Sequence, residues 1–539
     1  MSKKKKLKGS PAFQIHVEEN RTIDTPDIFV LKDETSIASC GMKIGLETSP
    51  GIFFGKAEDD ENTRFSVEKG FLFDYVGKPQ SVEGHCAVFG SSGSGKGSCV
   101  AVPTMVSWGN SPMVVLDPKG DLSEYYKKIT SEDKRPAKIF NPSRNDTCTY
   151  DPFSHIKNDD ESNRVANVRE LVNAIIPKPL DSRDRFWITA AQKILTGAFL
   201  YYLDLTEGST DLNFYDAIDC VTSLPLEKLF EKINQSGNTA AQKYIRSFQG
   251  KDYLADSEML MDINETLDTY LMDFINDLHI KNALTPSDNS INWEKDLNEY
   301  NIFLSVPEDR IEQWGPLLNV MLTQLIRTLE RRPERYSPQD AELKPALLLL
   351  DEFPMIGRID VLANALSTLR SKNVTILLIA QSISQLSAIY GCDCRNIMLE
   401  NCDFQAVLRV NCADSQKYFS ELAGTAPMKS WSISDNYQPD GSHMECVGHG
   451  ESVSIIYQPF IRPEEFSHLD RELILFTPYN TFRVKKHPFY EWKSKIFDTS
   501  PDSENGENSS QAEKETAEKL PPDAAKSGKY VFRNMQLGK

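Results

Sequence analysis

The segment Gly90-Ser91-Ser92-Gly93-Ser94-Gly95-Lys96-Gly97-Ser98 constrains this chain more than any other. It fits G-x-x-x-x-G-K, it follows the short apolar run Cys86-Ala87-Val88-Phe89, and a helical stretch from Ser98 through Val106 comes after it. Strand, glycine loop and helix in that order make a phosphate cradle. The glycines are needed because several backbone N–H groups must turn inward around one phosphate, in conformations that a Cβ would block. The dipole of the following helix adds attraction for the anion. Lys96 then reaches the β- and γ-phosphates as a point charge. The expected ligand is ATP with Mg²⁺, held by residues 90–98. One position departs from the general pattern. Gly97 stands where most such loops carry the Ser or Thr that binds Mg²⁺, which leaves Ser98, Ser94 or water to take that place. A bare Gly/Ser turn without a ligand is the plain alternative, and it does not account for the strand-loop-helix context.

The rest of the chain supplies the sheet that such a loop requires. Continuous apolar runs recur at Met113 to Leu116 (ending at Asp117), Lys138 to Phe140, Asn301 to Leu304, Ala346 to Leu350, Val374 to Ile379, Phe404 to Leu408 and Leu473 to Phe476. Runs of this kind mark strands buried on both faces of a parallel sheet. Helical stretches separate them, notably Leu317 to Arg331 and Val361 to Arg370, so the fold class is a doubly wound α/β core. Between about residues 155 and 285 the strand-like runs vanish. Arg185-Phe186-Trp187 opens a long periodic helix through Leu195 and Tyr201, and Met259 to Leu278 carries another, which reads as an inserted all-α domain. The expected organisation is an irregular arm over 1–40, the first part of a nucleotide-binding domain over 41–154, the all-α insertion over 155–285, the second part over 286–497, and a disordered acidic tail over 498–539. Short strands are expected near Gly51 to Gly55.

Composition narrows the partners. With 539 residues the chain is long enough for two or three cores, and its net charge of −18 excludes a protein coated uniformly in positive charge. A DNA partner would have to meet a local basic surface such as a pore wall. No apolar run reaches about 18 residues, so no transmembrane helix is readable. The run Lys3 to Lys6 is a solvated tail or a weak contact with acidic lipid heads. Ten cysteines are scattered; Cys392, Cys394, Cys402 and Cys412 form the one cluster, and their spacing matches no usual zinc pattern.

The chemistry opposite the cradle is expected from Leu347-Leu348-Leu349-Leu350-Asp351-Glu352. An apolar strand ending in two acids brings both carboxylates to the sheet edge next to the glycine loop. Asp351 is the candidate Mg²⁺ partner, directly or through water, and Glu352 the candidate base that orients the attacking water. Alone, an acidic pair after a strand is a common helix cap. Gln381, ending the next strand, is a candidate sensor of the γ-phosphate, or else a capping amide. Arg358 and Arg370 flank the helix after the acids; either is a solvated helix arginine or a residue that neutralises transition-state charge across a subunit boundary.

These residues together resemble the TraG/TraD-like type IV secretion coupling proteins. The resemblance rests on Gly90 to Ser98, on Val114-Val115-Leu116-Asp117-Pro118-Lys119-Gly120-Asp121, on Leu350-Asp351-Glu352-Phe353-Pro354 with Ile356-Gly357-Arg358, and on Ile379-Ala380-Gln381-Ser382 with Ser384-Gln385-Leu386 and Ile389-Tyr390-Gly391. The Lys96-Gly97 pair, odd for glycine loops at large, is usual in that family. The resemblance runs from about Gly41 to Phe497. It implies a RecA-like P-loop NTPase domain, an all-α domain facing the cytoplasm and a homo-hexameric ring with a central pore. It also implies ATP-driven movement of single-stranded DNA with its relaxase, and of protein cargo, toward the components of the secretion channel. Arg370 holds the place of a trans-acting arginine. Many members begin with two transmembrane helices. This chain does not, so the expectation is a place on the cytoplasmic face of the bacterial inner membrane, in a soluble subgroup or through a separate membrane anchor. Two other classes compete. A cell-division-type double-stranded DNA translocase would bring a basic winged-helix reader, and no such module is visible after residue 430. A docking receptor that uses nucleotide only as a switch would not need Glu352.

Overall fold

The computed structural model describes residues 50–56, 67–68, 71–72, 75–129, 135–157, 160–177, 185–207, 213–249, 257–336, 343–440 and 443–491. All of these lie in one compact unit, Met1–Lys493. The expected arm over 1–40 and tail over 498–539 lie outside the described residues.

In chain order the main strands are β1 (Gly51–Lys56), β2 (Tyr75–Pro79), β3 (Cys86–Phe89), β4 (Met113–Asp117), β5 (Ala137–Phe140), β6 (Asn301–Ser305), β7 (Ala346–Leu350), β8 (Val374–Ala380) and β9 (Phe404–Val407). They are followed by β10 (Thr425–Asp440), β11 (His443–Pro459), β12 (Glu472–Phe476) and β13 (Thr481–Lys485). Eleven of them form one sheet in the order β2-β1-β13-β12-β9-β3-β8-β7-β4-β6-β5. From β9 to β5 every neighbouring pair is parallel. From β9 outward to β2 the pairs are antiparallel. The parallel strands are the continuous apolar runs: every residue of β3, β4, β6, β7, β8 and β9 is buried, as a sheet covered on both faces requires.

Register brings the functional strand ends to one edge. Phe89, the last residue of β3, pairs with Ala380 of β8 on one side and Val407 of β9 on the other. Leu350 of β7 pairs with Leu378 of β8 and Leu116 of β4. The glycine loop, Gln381, the acidic pair and Asp117 therefore leave the sheet within a residue or two of one another. β7 is not the neighbour of β3; β8 stands between them.

The expected helix from Ser98 is split. A π-helical turn, Gly97–Ala101, precedes a six-residue helix α1 (Val102–Ser107), and Val102 N–H bonds back to the Gly97 carbonyl. Pro103 explains this: it has no N–H to give to the residue four before it, and its ring crowds that carbonyl, so the first turn widens.

After α2 (Asp121–Ile129) and β5, the chain up to β6 carries helices and no strand among the described residues. These are α3 (Glu161–Ile175), α4 (Arg185–Glu207), α5 (Phe214–Ser223), α6 (Leu226–Gln235), α7 (Thr239–Ile245), α8 (Ser257–Ile275), α9 (Leu278–Leu284) and α10 (Trp293–Glu299). Helix thus continues past residue 285. Phe153, Phe199 and Phe214 meet edge to face, with ring centroids 5.3, 5.4 and 5.5 Å apart, and join this region to the main core. Arg327 of α11 (Ile311–Glu330) adds an ion pair to Glu170 of α3 at 2.7 Å. The ribbon β10–β11 pairs with itself alone and carries exposed Val453, Ile455 and Tyr457; the sequence reading does not anticipate it.

Leu348, wholly buried at the centre of β7, is the sharpest test of this core. Leu348→Ala is expected to lower unfolding free energy by about 3 kcal/mol in guanidinium titrations.

Candidate functional site

The loop owes its shape to its glycines. Gly93 and Gly95 hold φ of +70° and +98°. A Cβ on Gly95 would stand 2.8 Å from Cys99 Sγ, and one on Gly90 2.3 Å from Ser94 Oγ. The loop is tied to both flanking strands: Gly90 N–H donates to the Ala380 carbonyl at 3.2 Å, and Ser91 N–H to the Arg409 carbonyl at 2.8 Å.

Four of the expected residues meet at the edge. Lys96 Nζ donates to the Gly90 carbonyl at 2.6 Å and lies 3.4 Å from Glu352 Oε1; both side chains are buried. Gln381 Nε2 donates to Glu352 Oε2 at 2.7 Å. Gln381 is therefore not a cap; that role falls to Ser382, whose hydroxyl accepts from Gln385 N–H at 3.1 Å and starts α12 (Ile383–Tyr390). Glu352 sits at φ +44°, a left-handed conformation that costs a residue with a Cβ roughly 1–2 kcal/mol. Such strain at the end of a core strand is a mark of a functional position.

Asp351 is anchored by its N–H on the Leu116 carbonyl at 3.2 Å. Burial pushes its carboxyl up to about 7, the neighbouring Glu352 and Asp117 add to the rise, and Lys96 and Lys119 oppose it. Asp117, fully buried, is a residue the sequence reading left at the end of a strand without a role. Its Oδ2 accepts from Ser123 N–H at 2.8 Å, its Oδ1 has no hydrogen-bond partner, and burial raises its carboxyl as well. Ser94 Oγ is likewise buried without a partner. Hard oxygen donors beside a glycine cradle suit a small divalent cation that also touches phosphate. Of the two hydroxyls left open at the loop, Ser94 is the buried one; Ser98 Oγ faces Cys99 Sγ at 3.7 Å.

Two expected residues are not at this edge. Arg358 pairs with Asp360 at 2.6 Å. Arg370 lies in the short helix Leu369–Lys372 that precedes β8, so it stands at the opposite end of that strand from Gln381. Its side chain is 49% exposed and faces Glu83 at 3.3 Å and Asp403 at 3.4 Å. Within one chain it is roughly 20 Å from the cradle, the length of a seven-residue strand. The sequence reading also missed Arg409 and Lys486. Arg409 follows β9 at the same sheet edge, a position that could have flagged it. Lys486, whose Nζ donates to the Ser94 carbonyl at 3.1 Å, comes from the antiparallel strands and had no such signal.

A parallel block with the glycine-loop strand second from one edge, one strand intervening and an acid-tipped strand beyond defines a RecA-like P-loop fold. The chain belongs to the family described as Type IV secretory system Conjugative DNA transfer, whose model matches residues 43–525. It is 24% identical over 414 residues to Protein VirD4 of Agrobacterium fabrum, covering 75% of this chain and 58% of that protein. To the conjugal transfer protein TraG of Escherichia coli it is 22% identical over 435 residues, 78% of this chain and 65% of the relative. The chain thus spans somewhat under two thirds of the length of these relatives. Among solved structures it is similar to the plasmid coupling protein TrwB in complex with ADP and Mg²⁺, with a TM-score of 0.58 at 17% identity, covering 82% of this chain and 96% of that one.

The raised Asp351 carboxyl has a consequence for stability. In the folded chain it keeps a proton that the unfolded chain, at 3.8, releases earlier, so stability falls as pH rises from about 4 to 7. Asp351→Asn is expected to remove that loss. Between pH 5 and pH 8 its melting temperature should fall less than that of the parent, with a gain at pH 8 of roughly 2–4 kcal/mol.

Proposed function

We propose that this chain is an ATP-hydrolysing coupling protein that moves single-stranded DNA with its relaxase, and protein cargo, to a type IV secretion channel. The observation that carries this reading is the contact of Lys96 with Glu352, itself held by Gln381, at a glycine loop in a chain of this family. TrwB, solved with ADP and Mg²⁺, supports the choice of ligand.

In this reading residues 90–98 cradle the β- and γ-phosphates and Lys96 neutralises them. Asp351 holds Mg²⁺, directly or through water, and the metal supplies charge neutralisation on the phosphates. Glu352 orients the attacking water and takes its proton, and Gln381 keeps the Glu352 carboxylate in place. Six copies form a ring, and Arg370 of each serves the site of a neighbour. Its exposure and its distance from its own cradle favour a role in trans. Grip on DNA is electrostatic and weakens with salt. Residues 155–285, as an all-α domain set into a nucleotide-binding domain of 41–154 and 286–497, recognise substrate. The ring works at the cytoplasmic face of the inner membrane. No described helix is long and apolar enough to cross a membrane.

Phosphate release measured with single-stranded DNA tests this. Glu352→Gln is expected to slow hydrolysis at least about 100-fold while ATP still binds; unchanged release would reject Glu352 as the base. Arg370→Ala is expected to be as inactive, on the order of 10³-fold or more. Mixing the two inactive proteins should recover hydrolysis, because some interfaces then join an intact Glu352 to an intact Arg370. No recovery would remove the trans role.

A further inference from the structure

Arginines gather at the sheet edge opposite the cradle. Pro112, just before β4, and Ala346, which opens β7, border a cavity of about 520 Å³ there. Its wall carries Arg135, Arg331, Arg332 and Lys344, and among the described residues Glu294 is the one carboxylate on it. The chain as a whole has a net charge of −18, so this clustering runs against its composition.

We propose that this cavity is a binding site for a small organic phosphate, whose phosphate group is held by Arg135, Arg331, Arg332 and Lys344. Three observations carry the assignment. First, two of the guanidiniums are fixed in place by backbone carbonyls. Arg135 Nη2 donates to the Leu297 and Tyr300 carbonyls at 2.8 and 3.1 Å, at the C-terminal end of α10. Arg332 donates through Nη2 to the Lys344 carbonyl at 2.7 Å and through Nη1 to the Lys372 carbonyl at 3.4 Å. Second, neither of these two has a counter-charge among the described residues. Arg135 Nε is buried without a hydrogen-bond partner. Burial pushes the Arg332 guanidinium down to about 10 and lowers that of Arg135 as well, and no described carboxylate offsets it at either. A desolvated cation without an anion is costly, and an anionic ligand relieves that cost. Third, Arg331 and Lys344 are exposed on the same wall, and Arg331 pairs with no carboxylate among the described residues.

The wall also sets the ligand's chemistry. Three guanidiniums and an ammonium offer more N–H donors than the oxygens of one carboxylate can accept, and a phosphate monoester presents a further oxygen and a further charge. Leu297 and Leu343 give the cavity an apolar side, and its volume is that of a ligand with a body beyond the phosphate. The cations converge on one cavity, which suits a single small molecule.

The test is calorimetric titration of the full chain with phenyl phosphate, and with benzoate as the carboxylate of the same body, in ADP and Mg²⁺ so that the cradle stays occupied. The parent is expected to bind phenyl phosphate at one site per chain, and benzoate about tenfold more weakly. Arg331→Gln and Lys344→Gln, which leave the carbonyl contacts of Arg135 and Arg332 in place, are each expected to weaken phenyl phosphate about tenfold. A parent that does not bind phenyl phosphate overturns the site, as do variants that bind it like the parent. Benzoate bound as tightly overturns the choice of phosphate. Displacement of phenyl phosphate by an oligothymidylate strand or by phosphatidylglycerol vesicles, with that competitor weakened in Arg331→Gln, overturns the small-molecule reading.

Discussion

A buried lysine facing a buried glutamate is the constraint around which the rest is arranged. Lys96 and Glu352 come from distant parts of the chain and meet at 3.4 Å with side chains 7% and 5% exposed. Each alone would be a charge stranded in low dielectric, at a cost of roughly 3–5 kcal/mol. Together, and with Gly90 and Gln381 filling the remaining hydrogen-bond positions, they are tolerable. Their meeting sets demands on the backbone. The loop turns through two glycines at positive φ, and Glu352 adopts a conformation that a Cβ disfavours. A rigid parallel block is what can hold such strain in place.

Much of this was legible in the sequence because parallel strands buried on both faces leave uninterrupted apolar runs. Ala346–Leu350 and Val374–Ala380 stand out in the sequence for that reason, and so do the residues at their tips. The cradle was legible because glycine is needed there for steric reasons. What pattern could not give was lateral order. Nothing in the residues of β8 says that it lies between β3 and β7, so the intervening strand across which Glu352 reaches Lys96 is not legible in the sequence.

The parts that escaped have physical reasons too. The two strands of the ribbon β10–β11 pair with one another, outside the eleven-stranded sheet, and their sequence carries no long continuous apolar run. The helix after the loop was expected to be regular; one proline widened its first turn. Asp117 and Lys486 were passed over because each sits in an ordinary local sequence, and only the fold brings them to the cradle.

β8 has a property that neither of its ends reveals alone. A strand embedded between two neighbours resists bending and stretching along its axis, so its ends shift as one piece. At one tip is Gln381, touching the acid of this subunit; at the other is Arg370, facing outward. In the proposed ring those two groups serve successive sites. A push on the amide when a phosphate arrives or departs would thus be felt, through a single rod of backbone, at the next site around the circle. Order of firing would then be written into the sheet itself, with no separate messenger.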